Sequence, residues 1–356
     1  MTVDLELVEK VANALLYEGY MLYPYRPSSV KNQQRWNFGV LYPKSWCDQQ
    51  FGSDRSSMQT ECLLRADTAT RLTVKVRFLQ IVQRMVSRLL SPSTDMPNPA
   101  EPQLELVDRL EVAGRMYRPW QEAVERELCY EALDPIDFAT MDPLLFSFPE
   151  GKSIEYLRDE QGIVAGAIIR TWKALNGSVE IRSLSCHDEV VKISVQVENL
   201  TDSDPASSSS SNAREAMLLD SLVSAHTILG AESGEFLSLL EPPAGFEGLI
   251  AQCQNLGTWP VLASDEADTM LSSPIILYDH PQIAPESAGN LFDSTEIDEI
   301  LSLRILTLTD DEKREMRQAD DRTRGILERT EQMPEEQFAK LHGVLRGLTP
   351  MKEKTQ

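Results

Sequence analysis

Residues 71–79 read Arg-Leu-Thr-Val-Lys-Val-Arg-Phe-Leu. Leu72, Val74, Val76 and Phe78 alternate with Thr73, Lys75 and Arg77. A period of two sends the two sets to opposite faces of an extended chain. The stretch predicts a half-buried strand whose water-facing side is basic. Residues 154–198 repeat the signal. Asn176-Gly177 lies between apolar-rich runs, a pair suited to tight hairpins because both residues tolerate positive φ. Val191, Ile193, Val195 and Val197 then alternate with Lys192, Ser194 and Gln196. An antiparallel meander of about three strands is expected there.

Working outward, Val8, Val11, Ala12, Leu15 and Leu16 fall at i, i+3, i+4, i+7 and i+8. They predict a helix over residues 4–17 that ends near Gly19. Tyr17, Tyr20, Tyr23, Tyr25, Trp36, Phe38, Tyr42 and Trp46 follow, with Pro24, Pro27 and Pro43 among them. The prolines bar a long helix, so short strands are expected, one over residues 35–42. Residues 91–103 read as a loop, 110–117 as a strand and 120–133 as a helix.

Residues 202–212 contain six serines, five of them consecutive, beside Asp, Pro and Asn. Such a segment is flexible and marks either a domain boundary or a long internal loop. After it, Ala216, Leu219, Leu222, Val223 and His226 share one helical face. Thr309 and Glu312 form a capping-box pair. It starts a predicted helix over 310–329 with Met316, Ala319, Ile326 and Leu327 as its apolar stripe and an Asp320–Arg324 pair outside. A short helix near 335–345 precedes a frayed tail.

The fold class expected is α+β: an antiparallel β-rich N-terminal part followed by a more helical acidic part. The domain reading is a β-rich domain with an N-terminal helix over 1–201, a Ser-rich linker or loop over 202–212, an acidic, mainly helical domain over 213–348 and a tail over 349–356.

Charge is the second organising feature. Residues 215–303 contain 15 Asp and Glu and no Lys or Arg. Residues 24–90 contain 11 Lys and Arg against 4 acids. The first 100 residues sum to +3 and the rest to −25, giving the net −22. A split of this kind points to an interaction rather than to a particular reaction. It disfavours nucleic acid or anionic lipid over most of the surface. No apolar run approaches the roughly 18–20 residues that span a bilayer. Residues 1–9 lack the basic and apolar regions of a secretory signal, which argues for a cytoplasmic protein. Five cysteines without a CxxC pair argue against a disulfide framework or structural zinc.

Catalytic signatures are weak. There is no GxSxG, HExxH, GxGxxG or GxxxxGK[ST]. Neighbours in Cys186-His187-Asp188-Glu189 point to opposite sides of an extended chain, so a turn is the simpler role. His226 on an apolar face reads as a core histidine. Asp265-Glu266-Ala267-Asp268 lacks the glycine and terminal glutamate of a calcium loop and reads as a solvated acidic turn. No cofactor and no metal ligand set is expected.

Two segments remain. Residues 24–46 interleave Arg26, Lys31, Arg35 and Lys44 with Tyr25, Trp36, Phe38, Tyr42 and Trp46. Such a mixture serves either a protein interface anchored by aromatics and arginine or nucleic-acid stacking, against ordinary packing. Residues 273–308 are rich in proline and acid, with His280, Glu286, Asp293 and Glu296 among apolar residues. Their acids have no cations nearby in sequence, so either the basic segment or a partner docks there.

"LLYEGYMLYPYRPSSVKNQQRWNFGVLYP" (residues 15–43) and "SPIILYDHPQIAPESAGNLFDSTEIDEILSLRILTLTDDEK" (residues 273–313) resemble a family of uncharacterised bacterial proteins associated with [NiFe]-hydrogenase gene clusters. The resemblance covers most of the chain. It implies an accessory role in assembly, maturation or scaffolding and carries no catalytic residues.

The leading expectation is a non-enzymatic accessory protein that binds a protein partner, such as a hydrogenase subunit or maturation factor. Arg26, Lys31, Arg35, Trp36, Tyr42, Lys44, His280, Glu286, Asp293 and Glu296 are the candidate contacts. The alternatives are an enzyme site assembled from scattered residues around His280, and nucleic-acid binding by the basic aromatic segment.

Overall fold

Two antiparallel sheets grow out of the alternating stretches. The computed structural model describes residues 5–18, 25, 38–49, 52, 54–93, 104–136, 142–187, 189–203, 213–282, 298–319 and 321–334. Chain contacts divide it into two units, residues 1–20 with 34–282, and residues 21–33 with 283–356. Residues on both sides of the Ser-rich segment belong to the first unit.

The first unit holds helices α1 (Glu6–Leu16) and α2 (Lys44–Cys47). Strands follow as β1 (Ser57–Arg65), β2 (Arg71–Ser93), β3 (Leu104–Val107), β4 (Leu110–Val112), β5 (Arg115–Tyr117) and β6 (Trp120–Leu133). Next come β7 (Leu144–Phe148), β8 (Gly151–Arg158), β9 (Val164–Trp172), β10 (Leu175–His187) and β11 (Val190–Asn199). After α3 (Ala213–Met217) and a 3-10 turn (Leu218–Asp220) come β12 (Val223–Glu232) and β13 (Glu235–Phe236). Helix α4 (Glu247–Ile250) and strands β14 (Trp259–Leu262) and β15 (Thr269–Ser273) complete it. One sheet runs β13-β1-β11-β10-β7; the other runs β14-β15-β12-β2-β9-β8, with β3 and β6 also on β2.

β2 is the spine. Its first half pairs with β12 on one side and β6 on the other. Its second half pairs with β9 and β3. Leu72, Val74, Val76 and Phe78 face the five-stranded sheet and share a core with Cys62, Leu64, Val179, Ile181, Ile193, Val195 and Leu229. Burying side chains of this size contributes roughly 1.5–3 kcal/mol each. Beyond Phe78 the same face turns polar: Gln80 holds the Lys173 carbonyl at 2.8 Å, and Arg84 meets Glu122 at 3.3 Å. Past this band the β4–β5 hairpin covers Leu157 and Ile168 with Val112.

Several expectations change. Residues 120–133 form a strand, because β2 offers Trp120 to Leu133 a twelve-pair ladder, and such tertiary pairing overrides a weak helical preference. Val223 and His226 lie on β12, not on a helix. Asn176-Gly177 is inside β10, not at a hairpin tip. The meander splits: β8–β9 join the larger sheet and β10–β11 the smaller one. Residues 110–117 are a hairpin of two short strands.

The second unit, as described, is helical: α5 (Asp298–Leu306), α6 (Asp310–Ala319) and α7 (Asp321–Glu331). The expected single helix over 310–329 is therefore two. Its capping box is present, with the Thr309 amide 2.9 Å from Glu312 Oε2 and the Glu312 amide 3.3 Å from Thr309 Oγ1. Met316, Ala319, Ile326 and Leu327 are buried as the stripe predicts. Asp320 lies outside the described residues. No described helix is long and apolar enough to cross a membrane.

Candidate partner-binding site

The basic side of β2 is not open to water. Helix α1 lies over it, packing Val8, Val11 and Ala12 on Ile228, Val261, Ala263 and Leu271. Its polar face reaches the cations: Lys75 Nζ is 2.6 Å from Glu9, and Arg77 donates to Asn13 at 2.7 Å. β6 supplies the remaining carboxylates, Glu125 at 3.4 Å and Glu127 at 3.3 Å from Arg77. On the opposite face of β2, Arg84 and Arg88 are paired likewise with Glu122 and Glu105. Glu122, Glu125 and Glu127 lie in the stretch 120–133 read as a helix, so their pairing was hidden until β6 formed. The cationic stripe is thus neutralised by α1 and β6.

The aromatic segment is partly packing. Tyr42 is 4% exposed, so its ring cannot serve as the surface contact expected of it. Arg214 donates to its hydroxyl at 3.1 Å and stacks over its ring. Burial pushes the Tyr42 phenol pKa up, while Arg214 pulls it back. Asp54 accepts from Trp46 Nε1 at 3.1 Å and from Arg214 at 2.7 Å. Lys44 is exposed at the start of α2. Arg26, Lys31, Arg35 and Trp36 lie outside the described residues.

The two quoted segments meet at one point. Gly39 has φ +54, and a β-carbon there would sit 2.6 Å from the ring of Pro274. Glycine is what allows this close approach. Pro274 follows β15 and opens a segment that returns to the end of β14. The Asp279 carboxylate accepts the Leu262 amide at 2.8 Å and the Ser238 hydroxyl at 2.5 Å. The His280 amide donates to the Leu262 carbonyl at 2.7 Å, with His280 at φ +57. His280 Nδ1 is 3.6 Å from Asp265. Glu286, Asp293 and Glu296 lie outside the described residues.

This arrangement presents apolar side chains to solvent. Leu277 packs toward the α1 cluster. Ile276 and Tyr278, one residue to either side, are 70% and 85% exposed. Asp279 follows Tyr278 in the chain and Asp265 faces His280, and neither carboxylate meets a Lys or Arg among the described residues. Ser238 binds Asp279 directly, with no imidazole between them, so no hydroxyl–histidine relay is assembled. Residues 275–278 are continuously apolar, so no alternation in sequence marks which of them face solvent.

A second concavity of about 340 Å³ lies on the outer face of the five-stranded sheet, lined by Glu61, Glu180, Arg182, Leu184 and Lys192 among others. Its charges are mutually satisfied: Lys192 is 3.2 Å from Glu61, and Arg182 pairs with Glu180. A solvated sheet face explains it. Burial pushes the nearby Cys253 thiol up to about 11. Among the described residues no group of three His, Cys, Asp or Glu is set to hold a metal ion. Comparison with protein-family models and with curated proteins finds no match to the chain.

Proposed function

We propose that this chain is a non-enzymatic accessory protein that binds a protein partner through the surface around Ile276 and Tyr278. The resemblance to hydrogenase-linked proteins makes a [NiFe]-hydrogenase subunit or maturation factor the partner of choice. One observation carries the reading: two large apolar side chains, Ile276 and Tyr278, stand in solvent beside Asp279. Exposed apolar residues ringed by polar ones mark interaction sites, and aromatics are frequent anchors. Arg26, Lys31, Arg35, Trp36 and Lys44 stay proposed contacts on their residue types alone.

Affinity capture from the native host, with wild type and the Ile276→Ser/Tyr278→Ser double variant side by side, tests this. Capture of a hydrogenase polypeptide that the variant loses at unchanged melting temperature is expected. An identical captured set from both proteins sinks the site. Loss of captured proteins that include no hydrogenase polypeptide keeps the site and sinks the hydrogenase link.

A further inference from the structure

β7 closes one edge of the five-stranded sheet and, among the described residues, pairs only with β10. Its five residues, Leu144–Phe148, carry no charge. Phe146 faces inward, with ring centroids 5.9 Å from both Phe78 and Phe148. Leu145 faces outward and is 76% exposed. An uncharged edge strand offers unpaired backbone N–H and C=O groups to any extended chain, and proteins guard such edges with charge or proline. Here the guards stand only at the ends: Asp142-Pro143 before the strand and Pro149-Glu150 after it, all four exposed.

That placement decides what the edge accepts. A second copy pairing antiparallel about Phe146 would set Asp142 of each chain opposite Glu150 of the other. Like charges directly opposite destabilise a pair, and a net −22 on each chain adds repulsion. A foreign strand with Lys or Arg at both ends meets the same carboxylates favourably. Between those ends, inward side chains would land beside Leu144 and Phe148, which are only partly buried against the core. Across the sandwich, Leu128, Tyr130 and Leu133 of β6 are likewise partly buried, and Arg126 of β6 lies 4.8 Å over the Phe148 ring. The inner side of an added strand is therefore apolar.

We propose that β7 is a docking edge for an extended segment of a protein partner, about nine residues long, cationic at both ends and apolar at alternate positions between. The proposal does not depend on the surface around Tyr278.

Fluorescence anisotropy of the full-length protein with the labelled peptide Lys-Ser-Val-Thr-Val-Thr-Val-Ser-Lys is the test. We expect the same peptide ended in Glu to bind about tenfold more weakly, as two cross-strand charge pairs change sign. A Lys-ended peptide with a glycine centre should bind weakly, since it lacks the apolar inner face. Asp142→Lys with Glu150→Lys should reverse the preference for Lys over Glu ends. Asp142→Lys alone turns both end contacts of a self-paired edge attractive, so its dimer fraction by light scattering should rise above wild type. Equal binding of Lys- and Glu-ended peptides, no binding of either, or an unchanged order in the double variant overturns the proposal. So does slow amide exchange at residues 144–148 in the free protein, which would mean that the chain's own residues hold the edge.

Discussion

His226 and Arg77 lie opposite each other on β12 and β2, and an uncharged imidazole is what lets the guanidinium stay there. His226 is 1% exposed and its Nδ1 donates to the Ser224 carbonyl at 2.9 Å. Nε2 finds no hydrogen-bond partner among the described residues. Ser224, at φ +54, sits in the bulge that turns the ring under α1.

Burial lowers the His226 pKa to about 4, with Arg77 adding to the fall and the Ser224 carbonyl and Glu125 opposing it. The unfolded chain takes up this proton near pH 6.5, the native protein only near 4. Stability from the neutral ring is therefore full above 6.5 and lost as pH falls toward 4, by roughly 3 kcal/mol in all. Urea midpoints measured between pH 7 and 5 should fall less in His226→Gln than in wild type. Parallel slopes would refute the assignment.

Arg77 and Arg88 make similar ion pairs in very different surroundings. The Arg77 side chain is 8% exposed and the Arg88 side chain 58%. Arg77→Ala removes a buried side chain shared by Glu125 and Glu127, which keep Tyr17 and Lys75 as partners, and should cost about 1.5 kcal/mol. Arg88→Ala should change stability by less than about 0.5 kcal/mol. Denaturant unfolding of the two variants checks the contrast.

Gly177 is required by packing, not by a turn. A β-carbon on it would lie 2.2 Å from Phe146 Cζ and 2.7 Å from the Glu198 carbonyl. Gly177→Ala should cost about 2 kcal/mol through overpacking. Adding Phe146→Leu should return part of that loss, because the two sites touch. Simple additivity in a double-mutant cycle would point elsewhere.

Thr309→Ala removes a hydroxyl that caps the first turn of α6. The expected cost is about 1 kcal/mol, confined to the second unit. Amide exchange across α6 and α7 should quicken while β2 and β12 stay protected.

Legibility followed the range of the interactions. The strand at 71–79, helix α1, the alternation of β11, the capping box and the buried stripe of α6 and α7 were readable, since each depends on neighbours in sequence. His226 was read as a core residue on a helical face; it is buried, but on β12. β6 was not, because Glu122, Glu125 and Glu127 take their meaning from Arg77, Arg84 and Lys75, some 40 to 50 residues away. Asn176-Gly177 misled for a related reason: the ring of Phe146 explains the glycine. The basic pole was correctly counted, yet its partners were invisible.

Sequence alone determined where the chain alternates, where it caps helices and how its charge divides, since these are local properties of side chains and backbone. Tertiary structure decided which face each alternation shows to water. It covered Lys75 and Arg77 with α1, left Ile276 and Tyr278 in solvent, and ended the smaller sheet on an uncharged strand. Those outcomes rest on ladders and contacts between distant segments, whose partners no local period encodes.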